Sequence, residues 1–346
     1  MGLLLNVVMK NAQDHPGVDL TYCVNYRQRR FECRECVRIC PRQVYDKNLA
    51  VPPKWDQCQS CGLCVTACPS RCIVPPPLQI KRHLLLADRG GETTVSCERS
   101  ENRADHVEAC IAQMPWELLA CLALGGRLQL DMQACNACPY DDCRKALEQQ
   151  LQYLKAFLGK ELWEKHVSIC KEQVTDAQEK HVSRRGLFSG MARSGKKAGA
   201  LALADAMQEG TDGLIYRRLL LSRVRTLESQ GKKAEWRLRM PWFSDKCYGC
   251  GICEKLCPNR AIEISAEKEG MRSIFVQPYK CTGCGVCAQV CRWGGIEEIC
   301  LVRTASLERV RMKQVKSASC MRCGRAIAPD AGKQYCAVCA QKTGCK

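Results

Sequence analysis

Thirty of the chain's 346 residues are cysteine, and their spacing decides what chemistry they can do. In chain order they form an octet from Cys23 to Cys68, a looser set from Cys97 to Cys143, a second octet from Cys247 to Cys291, and two CxxC pairs between Cys320 and Cys339. The second octet is the most regular. Cys247, Cys250, Cys253 and Cys257 precede Pro258, and Cys281, Cys284, Cys287 and Cys291 repeat the same intervals. Three thiolates separated by two residues wrap one face of an iron-sulfur cubane, and the fourth, three residues further on, reaches a neighbouring cubane. The expected ligand sets therefore cross between the halves: Cys247, Cys250, Cys253 and Cys291 for one cluster, Cys281, Cys284, Cys287 and Cys257 for the other. Such clusters exchange single electrons. Zinc sites favour CxxC pairs over a four-cysteine run.

The elements that would position these thiols are short. Between the two runs, AIEIS and SIFVQP flank AEKEG, which predicts a hairpin by alternation and turn composition. The octet resembles the bacterial-type ferredoxin that carries two 4Fe-4S clusters, over roughly residues 244–301. That resemblance implies a pseudo-twofold arrangement of strands and short helices. One departure is Arg292, where proline would follow Cys291. Because proline only shapes the turn after the ligand, the cluster is expected to bind regardless.

The first octet repeats the pattern with a distortion. Cys58, Cys61, Cys64 and Cys68 with Pro69 are complete, whereas Cys33, Cys36 and Cys40 with Pro41 lack a near first ligand, and the nearest upstream cysteine is Cys23. The reading assigns Cys23, Cys33, Cys36 and Cys68 to one cluster and Cys58, Cys61, Cys64 and Cys40 to another. Cys23 then stands at the base of an enlarged basic loop containing Arg27, Arg29 and Arg30. Cys72 is expected to be a buried spare.

From Thr93 the texture changes. TTVSC reads as a strand, PWELLACLALGG as an apolar helix with a glycine stop, RLQLDMQ as an alternating strand and RKALEQQLQYLKAFLGKELW as a long amphipathic helix. Parallel sheets place ligands outside the carboxyl ends of their strands, where Cys97, Cys135 and Cys138 fall. With Cys110 they would make one further cluster, 2Fe-2S or 4Fe-4S; a structural zinc, a redox dithiol or inert thiols are the alternatives. Cys143 is a further thiol in this set, Cys121 reads as core, and Cys170 is unassigned. The segment looks distantly like the delta subunit of methyl-viologen-reducing hydrogenases, and that likeness implies a 2Fe-2S site at strand ends.

The stretch 180–240 has no cysteine and is basic. Its SRRGLFSG string resembles a twin-arginine signal, but Lys196 and Lys197 stand where an apolar run would follow, so export is not expected. Leu214, Ile215, Tyr216, Leu219, Leu220, Val224 and Leu227 recur at helical spacing, giving a face for a partner, an anionic membrane or the chain's own domains. At the end, Cys320, Cys323, Cys336 and Cys339 have the spacing of a zinc ribbon.

The chain carries a formal charge of +17. Four cubanes held by thiolates would lower it to about +9, since each site carries about minus two, and basic residues form no stripe with aromatics. Nucleic acid is therefore not an expected partner. No apolar window is long enough for a transmembrane helix, and Lys10 and Asn11 end the opening apolar run early, so secretion is not expected. The fold expected is α+β and multidomain: ferredoxin-like domains at 1–80 and 241–305 flank an α/β domain at 81–179 and a basic helical connector at 180–240, with a zinc-ribbon tail at 306–346. The function expected is a cytoplasmic iron-sulfur electron-transfer subunit with four 4Fe-4S clusters, a possible fifth cluster and one zinc. Similarity to multicluster subunits of hydrogenases and formate dehydrogenases implies catalytic redox partners in a hetero-oligomer. Two alternatives are a thiol or metal redox enzyme centred on the middle domain, and a nucleic-acid-associated iron-sulfur protein. No GxGxxG or P-loop motif offers a nucleotide site.

Overall fold

The structure, a computed structural model, describes residues 15–27, 32–46, 51–172, 213–232, 234–329 and 334–343. The chain divides into two units, Met1–Asp19 with Arg34–Lys232, and Leu20–Cys33 with Lys233–Lys346. Of the sequence features above, Arg29, Arg30, the opening residues and the SRRGLFSG string lie outside the described residues.

In the first unit, β1 (Gly17–Val18) pairs antiparallel with β2 (Ile73–Val74). Between them lie α1 (Glu35–Ile39) and α2 (Leu63–Ala67), which face each other. Next come α3 (Pro77–Arg89), β3 (Gly91–Cys97), β4 (His106–Glu108), α4 (Trp116–Gly125), β5 (Gly126–Asp131), α5 (Asp141–His166) and β6 (Val167–Cys170). The four strands form a parallel sheet in the order β4-β3-β5-β6. Helix α4 is buried along nearly its whole length, because its WELLACLAL sequence is apolar on all sides apart from Glu117. Cys121 is fully buried there, among core side chains.

Two expectations change in detail. The amphipathic stretch after Cys143 is interrupted at Gly159, whose left-handed φ of 71° only glycine adopts without strain. The connector does not behave as one body. Its helix, α6 (Ile215–Ser229), belongs to the first unit and packs its apolar face against α4, burying Ile215, Tyr216, Leu219, Leu220 and Val224. The face available on paper to a partner or a membrane is thus covered by the chain's own core.

The second unit begins with β7 (Trp236–Phe243), followed by α7 (Ile252–Leu256), β8 (Ile262–Ala266), β9 (Met271–Val276), α8 (Val286–Gln289) and β10 (Ile296–Thr304). β7 pairs with β10, and β8 pairs with β9 in the expected hairpin, with Ile264 opposite Ile274. The result is strand, cysteine loop, helix and strand, twice over. The tail contributes to it: β11 (Val310–Lys316) adds to β9 and completes a three-stranded sheet. Beyond it, β12 (Ala318–Ser319), β13 (Ala326–Ile327) and α9 (Ala337–Thr343) frame the last four cysteines. Within the same unit, Val24 and Cys33 join a cluster with Val286 and Val290.

Candidate functional site

Three cavities are lined by four cysteines each. Cys40, Cys58, Cys61 and Cys64 line one, Cys257, Cys281, Cys284 and Cys287 a second, and Cys247, Cys250, Cys253 and Cys291 a third. They are alike in size, about 350, 340 and 320 Å³ including space open to solvent. Each takes three thiols from one loop and the fourth from another run of the sequence.

Local backbone geometry explains why the loops close in this way. The middle cysteine of each is flanked by left-handed residues: Ser60 and Gly62 around Cys61, Gly249 and Gly251 around Cys250, Gly283 and Gly285 around Cys284. Alternating left-handed residues turn successive backbone N–H groups into one concavity, which suits an anionic group. A short helix then begins at the residue after each second left-handed residue and carries the third cysteine.

The fourth cysteine of every run sits in one recurrent turn. After Cys40, Cys68, Cys257 and Cys291, the N–H three residues on donates to the cysteine carbonyl. The N–H four residues on, from Val44, Cys72, Ala261 and Gly295, donates to the cysteine Sγ at 3.2–3.4 Å. The third residue is left-handed in all four cases, as Gln43, Arg71, Arg260 and Gly294. Arg292 in place of proline therefore leaves the turn intact, since Gly294 supplies the left-handed position.

Burial pushes the Cys64, Cys253 and Cys284 thiols up to about 12, with neighbouring thiols adding to the effect in all three. Burial likewise raises Cys61, Cys247 and Cys287. Crowded, desolvated thiolates are costly unless a cationic centre neutralises them, so filling such a cavity must release protons.

The fourth expected set is not gathered within one unit: Cys23 and Cys33 belong to the second, Cys36 and Cys68 to the first. Its loop differs as well, since Arg34 before α1 is not left-handed and glycine is absent from Cys33 to Cys36. Cys68 is held low, first by the thiol of Cys72 at 3.5 Å and then by the Cys72 N–H and the Ser70 hydroxyl, although burial opposes them. Cys72 is buried, as expected.

In the middle region, cysteines stand at the carboxyl end of every strand of the parallel sheet. Cys97 ends β3, Cys110 follows β4, Cys135 and Cys138 follow β5, and Cys170 ends β6. Burial raises Cys135 to about 11, and Cys97, Cys110 and Cys138 add to it, so these four thiols share one neighbourhood. Cys143, in the first turn of α5, joins them: its thiol hydrogen-bonds Cys110 and lowers that group to about 7. Cys143 also feels Cys61, which places this group beside the first cavity. Sequence spacing undervalued Cys143 and left out Cys170; only the parallel topology brings the latter to the same edge.

In the tail, the thiols of Cys320, Cys323, Cys336 and Cys339 lie within 4.8 Å of one another, with Cys323 Sγ 3.7 Å from Cys336 Sγ. Tetrahedral coordination with Zn–S near 2.3 Å sets sulfur atoms about 3.8 Å apart, so one zinc-sized ion fits. Among the described residues, no three thiols of the ferredoxin-type loops come as close together as in the tail. A wider cage is what a four-iron core needs. The N–H of Cys336 donates to Cys320 Sγ at 3.2 Å and lowers that thiol, the direction a ligand thiolate requires.

No helix among the described residues is long and apolar enough to cross a membrane. Residues 246–294 match the family described as 4Fe-4S dicluster domain. No curated protein and no solved structure matches the chain. The matched stretch contains the second octet, whose two cavities are each lined by three cysteines of one run and the fourth of the other.

Proposed function

We propose that this chain is an iron-sulfur electron-transfer subunit that passes single electrons through 4Fe-4S clusters between partner redox proteins. The observation that carries the reading is the crossing of ligands: each dicluster cavity draws three cysteines from one run and the fourth from the other. Delocalised cubanes exchange an electron with little rearrangement, and the surrounding protein tunes their potentials through burial and hydrogen bonds to sulfur. The N–H groups of Ala261 and Gly295 would serve that purpose at Cys257 and Cys291.

In this reading the cavity of Cys40, Cys58, Cys61 and Cys64 takes a third cubane. Cys23, Cys33, Cys36 and Cys68 take a fourth, an assignment resting on spacing alone. Cys97, Cys110, Cys135 and Cys138 take a fifth cluster beside the third, and the tail takes zinc. The partners are catalytic subunits of the hydrogenase or formate dehydrogenase kind, in a cytoplasmic hetero-oligomer. Anaerobic purification with iron, zinc and sulfide counting and spectroscopy during stepwise reduction tests it. The expected result is at least about sixteen irons with matching sulfide and one tail-bound zinc per chain. Material without acid-labile sulfide would overturn it.

A second reading makes the sheet edge a thiol or metal redox enzyme, favoured by the crowding of Cys97, Cys110, Cys135, Cys138 and Cys143. Replacing Cys135 and Cys138 separates the two: an enzyme loses substrate turnover while the remaining clusters still exchange electrons.

A further inference from the structure

Two histidines and a glutamate meet inside the first unit without any cysteine. His83 lies on α3, and His106 and Glu108 alternate on β4, so that both face the same side of the strand. Their ligand atoms lie within 4.8 Å of one another, and the Nε2 atoms of His83 and His106 stand 2.9 and 2.5 Å from Glu108 Oε1. The side chains of His83, His106 and Glu108 are 0%, 10% and 3% exposed.

Charge is what this arrangement lacks. Among the described residues, no lysine or arginine forms an ion pair with Glu108; its partners are the two imidazoles and the amide of Gln113. Each imidazole Nε2 contacts Glu108 Oε1, and an ion takes the place of that contact, with the ring proton of His83 moving to Nδ1 beside the Tyr216 hydroxyl. A buried carboxylate facing two imidazoles is the donor set that a divalent cation completes.

The supporting contacts of a metal site are present. The other ring nitrogen of His83, Nδ1, lies 2.6 Å from the Tyr216 hydroxyl on α6, and Gln113 Nε2 donates to the second carboxylate oxygen of Glu108. Such outer contacts orient an imidazole and a carboxylate toward an ion. Gln113 in turn packs under the first cavity, where a Cβ at Gly62 would come 2.6 Å from its own Cβ.

We propose that His83, His106 and Glu108 form a mononuclear site for a divalent transition-metal ion of the zinc type, with Tyr216 and Gln113 orienting two of the ligands. Two nitrogens and one carboxylate oxygen make a three-ligand zinc set, and water takes the fourth position. The ion fastens β4 to α3 beneath the loop of Cys61.

The test uses the full chain, purified anaerobically with its clusters, dialysed against buffered Zn(II) and read by zinc K-edge absorption and elemental analysis. The wild type is expected to show zinc with nitrogen and oxygen neighbours at about 2.0–2.1 Å, distinct from sulfur-ligated zinc in the tail. His106→Gln and Glu108→Gln are each expected to lose that one equivalent while iron and sulfide stay unchanged, which also reports that the variants fold. Zinc with only sulfur neighbours in the wild type overturns the proposal, as does a nitrogen and oxygen shell that survives both substitutions. Should a variant fail to keep its iron, the wild-type spectrum alone decides.

Discussion

Arg71 Nη2 lies 2.9 and 3.0 Å from the two carboxylate oxygens of Glu117, joining the turn that follows Cys68 to the buried helix α4. Arg71 is the left-handed third residue of that turn, and Glu117 also accepts from Arg217 on α6 at 2.8 Å. One buried carboxylate thus ties the turn after Cys68, the central helix and the returning helix together.

Removing that carboxylate leaves two guanidiniums without their partner. Glu117→Gln is expected to destabilise the first unit by about 3–5 kcal/mol, measured by denaturant unfolding. Burial pushes the Glu117 carboxyl up, but Arg71 and Arg217 outweigh it and hold its pKa below the ordinary carboxylate range. The group's contribution is therefore present above the ordinary range and lost as pH falls through its depressed pKa. The wild type should lose stability on acidification over that window, and the variant should show a flatter profile there.

The crossed cysteine linings of the two cavities predict which irons each substitution removes. Cys291→Ser is expected to lose about four irons per chain, from the cavity it shares with Cys247, Cys250 and Cys253. Cys257→Ser should lose as many from the other cavity, despite lying in the same run as Cys247. Iron loss from the cavity on the substituted residue's own run would refute the crossing.

Two glycines separate strain from space. Gly62 and Gly285 both have left-handed φ, but a Cβ at Gly62 would meet Gln113 at 2.6 Å whereas at Gly285 nothing lies within 4 Å. Gly285→Ala is expected to cost about 1–2 kcal/mol from backbone strain alone. Gly62→Ala should cost more, with reduced iron occupancy, because both the strain and the overlap act on the loop of Cys61.

In the tail the buried core is made largely of the clustered cysteines: Cys320 and Cys339 pack with Ile327, and Tyr335 and Cys336 lie against them. Withdrawing zinc with a chelator is therefore expected to open residues 318–343 to protease while iron content is retained. Unchanged resistance to cleavage would show that the tail folds without the ion.

Replacing both Cys135 and Cys138 by serine is expected to remove two or four irons while leaving the ferredoxin-type spectra unchanged. Cys121→Ala, within the apolar helix, should change stability but not iron, which serves as the control.

Much of this was legible because cubane ligands are local in sequence: the intervals of 247–253 and 281–287 encode the loops, and the alternation of 262–276 encodes the hairpin. The apolar helix and the strand at 126–131 were equally plain. Non-local relationships were not. Nothing in the spacing said that the helix at 215–229 would cover α4 and not a partner, because an apolar face does not name what covers it. Cys170 reaches the ligand edge only through the parallel order of β5 and β6, and His83 meets His106 and Glu108 only because α3 lies against β4. The weak alternation of His106 and Glu108 was the one local hint. The strand at 310–316, counted with the tail, pairs with β9 through a register that composition does not announce.

The exchange of the fourth thiol between runs makes each repeat incomplete by itself. A solitary copy would hold three corners of one cage and a single corner of another, and could finish either only by meeting a twin. Tandem duplication turns that encounter between molecules into an event within one chain, after which neither copy can drift or be deleted without dismantling its neighbour.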